Sequence, residues 1–371
     1  MQLLNITYFK EKNFTKILLG TVLLGIALRV LVNYYGGQLF WFDEMRFNNG
    51  YIILTTISDG QYDDAIKKFI TTYDHTFYQL FAIPLTVLRY YWCKLFVNSN
   101  IEPYFLMEYD SGLAFCSAFI SIICYLILVL FSLKIFCKFN LNWKFAIIPV
   151  VLYSFSSIII IFSRHLLPYE ISITMYVVSI SLLMHNKYYL SGFICTSSFL
   201  TYNGFSASFL SIIIFSVIFI LFYNKKILRN FIIYSLGILK PLLILQFIGH
   251  YFGLNYINGL MNWAKYASIN QQGDFGIGYK LIPELFWQSE SYLSLLIFFL
   301  FFIKINSDFF KSYKNFLLST FYLCISTISI IVFNSDLHKS SVVYFRTIIQ
   351  IVPFMCLFVS IGIFFFYKKY E

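Results

Sequence analysis

Apolar segments of about 20 residues recur along the whole 371-residue chain, with short polar stretches between them. A helix of that length crosses the roughly 30 Å hydrocarbon core of a bilayer. Hydrophobic residues make up 59% of the chain and charged residues 12%, whereas about 25% of a typical soluble domain is charged. A single water-facing globule cannot bury so many apolar segments. The sequence therefore predicts an all-α polytopic membrane protein that forms one transmembrane domain over 1–371.

The positions of these segments define the predicted spans. Apolar runs that could cross a membrane lie at 16–35, 110–136, 144–162, 169–185, 188–200, 205–223, 229–250, 289–304, 315–334 and 347–367. A further run, 76–97, contains Gln79, Pro84, Arg89 and Lys94. These residues favour an amphipathic helix that lies at the membrane surface over a helix that crosses.

Basic residues indicate the orientation, because cytoplasmic loops carry an excess of Lys and Arg. If 76–97 does not cross and the N-terminus is cytoplasmic, the basic clusters at 134–144, 225–229 and 304–314 all fall inside. If it crosses, all three are translocated. The sequence therefore predicts about ten transmembrane helices with both termini cytoplasmic. The first outer loop then covers 36–109 and contains interfacial helices, and the second covers 251–288.

Ionisable residues suited to chemistry collect on the predicted outer side. Most of the acids fall there, as do four of the five histidines, His75, His165, His250 and His338. The net charge of +10 comes from short clusters between apolar runs. Orientation signals have this pattern, and it is not the basic stripe of a nucleic-acid-binding protein. We therefore expect function on the non-cytoplasmic face, and the short loops favour a bacterial inner membrane over the endoplasmic reticulum.

Two adjacent carboxylates, Asp43 and Glu44, follow the first predicted span and precede Arg46 and Phe47. Carboxylates at a membrane surface can serve as a general base, as metal ligands, or as both. The plain alternative is a pair of solvated loop acids, since acidic side chains are mostly exposed. The residues alone leave these interpretations open.

Further motifs follow in order along the chain. They are Tyr73-Asp74-His75-Thr76-Phe77-Tyr78, Ser163-Arg164-His165-Leu166-Leu167-Pro168-Tyr169, Leu190-Ser191-Gly192 with the turn Thr201-Tyr202-Asn203-Gly204, and Tyr344-Phe345-Arg346 with Pro353. With the Asp-Glu pair, their order and spacing resemble the GT-C superfamily of membrane glycosyltransferases. The resembling branch holds the protein O-mannosyltransferases and the lipid A aminoarabinose transferase. The chain departs from that branch at Thr76-Phe77, where the branch has Pro-Pro, which leaves the subfamily and the acceptor open.

The resemblance implies sugar transfer from a polyprenyl- or dolichyl-phosphate donor to a protein, lipid or glycan acceptor. It implies Asp43 as the general base, with Glu44 orienting the acceptor or completing, with Asp43, a site for Mg²⁺ or Mn²⁺. No other cofactor is expected. The departing phosphate needs fixed positive charge, and the candidates for it are Arg346, Lys339, His338, Arg164 and His75. Further candidates at the site, including its acceptor side, are Arg46, Asp74, His165 and Tyr169.

Two other functions fit the same topology. A transporter, or a lipid or glycan flippase, tends to place polar groups near the bilayer midplane on broken helices within internal repeats, and this sequence has no visible repeat. A non-catalytic subunit of a glycan-synthesis complex would keep the fold without needing Asp43 and Glu44. Within the predicted spans, Arg29 is expected to extend towards the outer headgroups, and Lys240 is assigned no role.

Overall fold

The computed structural model describes residues 12–35, 45–96, 111–138, 141–223, 226–270, 284, 286–301 and 348–370. Within these ranges every regular element is helical, which confirms the predicted all-α fold class. The helices are α1 (Lys12–Tyr35), α2 (Met45–Ser58), α3 (Tyr62–Thr71), α4 (Gln79–Phe96), α5 (Ser111–Lys138), α6 (Ile147–Ser154), α7 (Ser157–Ser163), α8 (Pro168–Met184), α9 (Tyr188–Thr201), α10 (Ser206–Tyr223), α11 (Ile227–Tyr251), α12 (Tyr256–Asn270), α13 (Ser291–Phe301) and α14 (Val352–Tyr370).

Among the described residues, three helices are long and apolar enough to cross a membrane: α1, α5 and α11. Large apolar side chains on α1 and α11 are more than half exposed, as at Leu23 and Phe247. Such a surface suits contact with lipid and would be a liability in water. These helices are compatible with a membrane protein. Helix α4 is not one of the three, and the count of about ten spans stays a prediction.

The predicted span 144–162 is divided into two helices. Helices α6 and α7 meet at a break and are bent by 58°. Ser154 Oγ donates to Val150 O at 2.6 Å, and Ser156 Oγ accepts a hydrogen bond from Ile159 N at 3.4 Å. Serine side chains that bind nearby backbone groups favour caps and bends over a continuous helix. Hydropathy does not detect this effect, so the sequence indicates one continuous span at 144–162.

Helices α8 and α9 form an antiparallel pair joined by a tight turn. Ser179 Oγ and Ser191 Oγ each donate to the other residue's backbone carbonyl at 2.8 Å. Helix α9 then packs closely on α11 through Gly192 and Gly237, since a Cβ on Gly237 would lie 2.2 Å from the Tyr189 carbonyl oxygen. Small residues and interhelical hydrogen bonds are the usual means of packing helices in lipid. Ser191 and Gly192 of the motif that begins at Leu190 both lie at these close helix contacts.

The described part of the segment predicted as the first outer loop, 45–96, folds into α2, α3, a 3-10 turn at Thr76–Tyr78, and α4. Helix α2 packs against α3 and α4, and α4 packs against α5. Gly50 allows the close approach of α2 to α4, because a Cβ there would lie 2.6 Å from the Ala82 Cβ. This helical layer carries the candidate site.

Candidate functional site

Four polar side chains meet where α2 faces the start of the 3-10 turn. Arg46 Nε donates to Asp74 Oδ2 at 2.8 Å, and the other oxygen of Asp74, Oδ1, contacts His75 Nδ1. On the opposite side of the ring, His75 Nε2 lies 3.1 Å from Asn49 Nδ2. We call Arg46, Asn49, Asp74 and His75 the outer cluster. Three of these four residues are predicted site residues.

The local sequence explains this arrangement. Arg46 and Asn49 are three positions apart on α2, so their side chains lie on the same face of the helix. His75 N donates to Thr72 O and His75 O accepts from Tyr78 N, which fixes the backbone at the end of α3. Gln79 Nε2 donates to the Arg46 carbonyl at 3.3 Å and ties α2 to the start of α4. Hydrogen bonds therefore fix the backbone of both segments that carry the cluster, α2 and the turn at His75.

Asp74 is ionised at any ordinary pH. Burial by itself would raise the pKa of this carboxyl, but the hydrogen bond and the charge of His75, and then Arg46, together lower the pKa from 3.8 to about 2. The side chains of Arg46 and Asp74 are 15% and 16% exposed, so solvent screens this pair only in part. A fixed negative charge thus stands beside Arg46.

Both ring nitrogens of His75 face protein groups. If the Asn49 amide donates to Nε2, the ring proton lies on Nδ1 and points to Asp74. The His75 residue is 3% exposed. A donor phosphate could therefore contact this ring only by displacing Asn49 or Asp74. This geometry favours a role for His75 in orienting Asn49 and Asp74 over the predicted contact with the donor phosphate.

The turn before α10 holds the cluster from a third direction. The Arg46 guanidinium carbon lies 5.2 Å from the centre of the Tyr202 ring. Asn203 N donates to Asp74 O at 3.2 Å, and Asn203 Nδ2 donates to Tyr73 O at 3.1 Å. The sequence had marked Tyr202 and Asn203 only as part of a turn. The signal that could have identified them is the short polar segment Thr201-Tyr202-Asn203-Gly204 between two apolar helices.

Of the remaining predicted residues in the described ranges, Tyr169 contacts this arrangement, and Arg164 and His165 are close in sequence to Leu166, which contacts it. Tyr169 is fully buried and its ring centre lies 4.6 Å from that of Tyr202. Arg164 and His165 follow α7 and directly precede Leu166, whose carbonyl accepts a 2.6 Å hydrogen bond from Tyr78 OH. The segments around 46, 73–78, 163–169 and 201–204 are thus brought together in space.

The second predicted outer loop also contacts this region. Tyr256 OH lies 2.8 Å from Thr76 Oγ1, and a Cβ on Gly259 would lie 2.3 Å from the Tyr73 ring. Helix α12 therefore packs against the segment that joins α3 to the 3-10 turn. Segments that the charge pattern assigns to one face of the membrane are in direct contact.

A second group of polar residues is buried among the apolar helices. The Arg29 side chain is fully buried, donates to Gly25 O at 3.1 Å, and lies 4.1 Å from the centre of the Tyr125 ring. Tyr125 OH lies 2.6 Å from Ser154 Oγ at the break after α6. Ser121 Oγ donates to Glu170 Oε1 at 3.1 Å. We call Arg29, Ser121, Tyr125, Ser154 and Glu170 the inner cluster.

The prediction that Arg29 extends towards the outer headgroups is wrong. Its guanidinium turns back towards Gly25, one turn earlier on α1, and the face of Tyr125 receives it. Aromatic faces attract cations, and this attraction grows when water is excluded. Lys240 differs from Arg29, because it is exposed on α11 with Nζ 5.4 Å from the centre of the Tyr189 ring.

Several predicted residues fall outside the described ranges. These are the predicted carboxylates Asp43 and Glu44 and the predicted phosphate contacts His338, Lys339 and Arg346. No group of three or more His, Cys, Asp or Glu residues suited to a metal ion occurs among the residues that the structure describes. The metal site at Asp43 and Glu44 therefore stays a prediction.

Comparison of the chain with protein-family models, with curated protein sequences and with solved structures finds no match.

Proposed function

We propose that the protein is a membrane glycosyltransferase that takes a sugar from a polyprenyl- or dolichyl-phosphate donor on the non-cytoplasmic face. The observation that carries this proposal is the outer cluster. Its ion pair between Arg46 and Asp74 joins two motifs quoted for the GT-C resemblance, and Tyr202, Asn203 and Leu166 bring in two more. Convergence of four separated motifs is expected of a functional site and is not required for packing alone.

Glycosyl transfer needs a base for the acceptor hydroxyl. In the proposal this base is Asp43, which stands three positions before Arg46 in the sequence. Three residues span at most about 11 Å, so the base works close to the outer cluster. Glu44 orients the acceptor or, with Asp43, holds Mg²⁺ or Mn²⁺. The acceptor is a protein, a lipid or a glycan.

The ion pair gives Arg46 a positioning role in this proposal. Because Asp74 is ionised and 2.8 Å away, much of the charge on Arg46 is already compensated. Arg46 therefore anchors the end of the segment that carries Asp43. The departing phosphate is stabilised by Arg346, Lys339, His338 and Arg164, among which Arg is suited to bidentate phosphate contact.

The membrane supplies the rest of the proposed site. About ten transmembrane helices in a bacterial inner membrane would leave grooves between spans for the polyprenyl chain. The outer cluster lies beside Leu166 and Tyr256, at segments that the charge pattern assigns to the outer face. The donor then presents its phosphate and sugar at the edge of the bilayer, where the polar groups are.

The experiment that tests this proposal compares the glycans and glycolipids of cells with the gene, without it, and with Asp43→Asn in its place. We expect one defined sugar to disappear from both altered strains while its lipid-phosphate donor accumulates. Asp63→Asn is the matched control, because Asp63 is an exposed acid in the first turn of α3 on the same loop. That variant should leave the glycans unchanged. Full function of Asp43→Asn would remove Asp43 from the mechanism.

One observation favours a second function, that of a transporter or lipid flippase. The broken span α6–α7 has the inner cluster beside its break, and transporters commonly bind their substrates or coupling ions at such breaks. A flippase would move a fluorescent polyprenyl-phosphate sugar across liposomes that contain the purified protein, which dithionite quenching of the outer leaflet detects. Movement that Glu170→Gln abolishes and Asp43→Asn leaves intact would favour transport over transfer.

A further inference from the structure

Helix α12 has one packed face and two exposed flanks. Tyr256 is fully buried, and together with Gly259 it forms the face that packs against Tyr73 and Thr76. The other half of the helix is exposed. Helical pitch divides that half into two flanks, since each residue advances by about 100° around the axis. One flank consists of Ile257, Met261 and Ala264, and the other consists of Asn258, Asn262 and Lys265.

The first of these flanks is apolar and the second is polar. The three members of each flank lie within about 60° of one another around the axis, and the two flanks are about 100° apart. Met261 is 57% exposed, although its flank has no side chain that can bond to water. A helix divided in this way typically lies in the interface of a bilayer, with the apolar flank among acyl chains and the polar flank in water.

The first turn of α12 is attached to the side of the candidate span α11. Ile257 N donates to Gln246 Oε1 of α11 at 2.9 Å. Gln246 stands five positions, about 7 Å of helix, before Tyr251, the last residue of α11. The start of α12 is therefore held back along α11 and does not stand beyond its end.

The surface of α11 at this level has the character of a surface that faces lipid. Leu243, Phe247 and Tyr251 are each more than half exposed, and α11 is long and apolar enough to cross a membrane. Phe247 directly follows Gln246, which binds the first turn of α12. A lipid layer that covers Phe247 therefore reaches the level of Ile257, where the apolar flank of α12 begins.

We propose that α12 is an interfacial helix of the outer leaflet, with its apolar flank in contact with lipid acyl chains. The contacts of its packed face then define the depth of the site. Because Tyr256 OH lies 2.8 Å from Thr76 Oγ1, directly after His75, the outer cluster lies at the level of the lipid headgroups. In a glycosyltransferase this is the level at which the donor presents its phosphate. That consequence rests on the proposed function, whereas the contact of α12 with lipid does not.

Spin labelling of the full-length protein in lipid nanodiscs tests this contact without any assay of activity. A nitroxide side chain replaces Met261 or Asn262 as a genetically encoded residue, so the native cysteines stay in place. Molecular oxygen concentrates in lipid, whereas a nickel chelate stays in water. At Met261 we expect oxygen to relax the nitroxide several-fold more effectively than the chelate does. Asn262 is the matched control, because it is adjacent, exposed and on the polar flank, and it should give the reverse order.

Two outcomes would overturn the interfacial helix. Equal access of the nickel chelate to the labels at Met261 and Asn262 would place both flanks in water. Weak access of both reagents to the label at Met261 would mean that protein, and not lipid, covers the apolar flank.

A second measurement needs no label. Met261→Asp should lower the melting temperature in nanodiscs by several degrees, because a carboxylate among acyl chains is costly. Asn262→Asp introduces the same charge on the polar flank and should leave the melting temperature unchanged. Equal melting temperatures of the two variants would contradict the proposal, whether both fall or neither does.

Discussion

The outer and inner clusters each contain an arginine, and the two arginines are satisfied in different ways. Arg46 is partly exposed and pairs directly with the Asp74 carboxylate at 2.8 Å. Arg29 is fully buried, and it donates to a backbone carbonyl of its own helix and lies over the ring of Tyr125. At the edge of the apolar helices a carboxylate compensates the arginine charge, whereas among these helices a backbone carbonyl and an aromatic ring do so.

The difference follows from the surroundings. At the edge of the apolar helices, solvent competes in part for both charges of an ion pair, so the pair adds a moderate amount of stability. Within apolar surroundings a charge is expensive, so it persists only where aromatic faces, hydroxyls and an opposite charge compensate it. We therefore expect the inner cluster to matter most for stability and the outer cluster to matter most for function. Four predictions test that division, from the largest effect on stability to the smallest.

Arg29→Ala should lower the free energy of unfolding by about 3 kcal/mol, because it removes the cation from the face of Tyr125 and the hydrogen bond to Gly25 O, and opens space in the buried cluster. Unfolding of the purified protein in detergent, followed by circular dichroism, measures this change. Arg46→Ala is the comparison variant and should lose far less, since its partner Asp74 can take up water. Equal losses in the two variants would contradict the proposed division.

Asp74→Asn should destabilise the protein by about 2 kcal/mol at neutral pH, the value that corresponds to the lowering of its pKa from 3.8 to about 2. Because the pKa is lower in the folded state, this stability is fully present above about pH 4 and is lost as the pH falls towards 2. The difference in melting temperature between wild type and variant should therefore shrink over that range. A difference that is independent of pH would show that Asp74 acts through packing.

Tyr125→Phe should cost about 1 kcal/mol, the usual worth of one hydrogen bond. It removes the contact of Tyr125 OH with Ser154 and keeps the ring below Arg29, and Ser154 Oγ still donates to Val150 O. Denaturant unfolding of Tyr125→Phe and of Arg29→Ala, measured under the same conditions, separates the contribution of the Tyr125 hydroxyl from that of its ring. A loss as large as that of Arg29→Ala would assign the stability of the inner cluster to the hydroxyl pair.

Asp64→Asn should change the free energy of unfolding by less than about 0.5 kcal/mol. Asp64 pairs with Lys67 at 3.5 Å on α3, in the same loop as the outer cluster, but both side chains are largely exposed. Melting curves at low and high salt check this value. A larger, salt-sensitive loss would mean that charge on this loop matters for stability wherever it lies.

The candidate site could be predicted in part. Arg46, Asp74 and His75 were selected from motif order, and the structure brings these three together. Tyr202 and Asn203 were not selected, because nothing in the local sequence says that the turn before α10 lies against Arg46 and Asp74. Contacts such as Asn203 N to Asp74 O join residues more than 120 positions apart, and only the packing of helices sets them.

The sequence by itself determined that the fold is all-helical, as the described residues show, and that apolar segments long enough to cross a membrane occur in it. Those properties depend on local hydrophobicity and on the number of residues in each run. The tertiary structure alone decided that Arg29 turns inward to Tyr125, that α6 and α7 are bent near Ser156, and that Glu290 Oε1 accepts hydrogen bonds from Ser156 Oγ and Ile158 N at this bend. The reason is physical: a buried polar group takes whichever distant partner the packed helices bring within hydrogen-bond distance, and local sequence does not encode that partner.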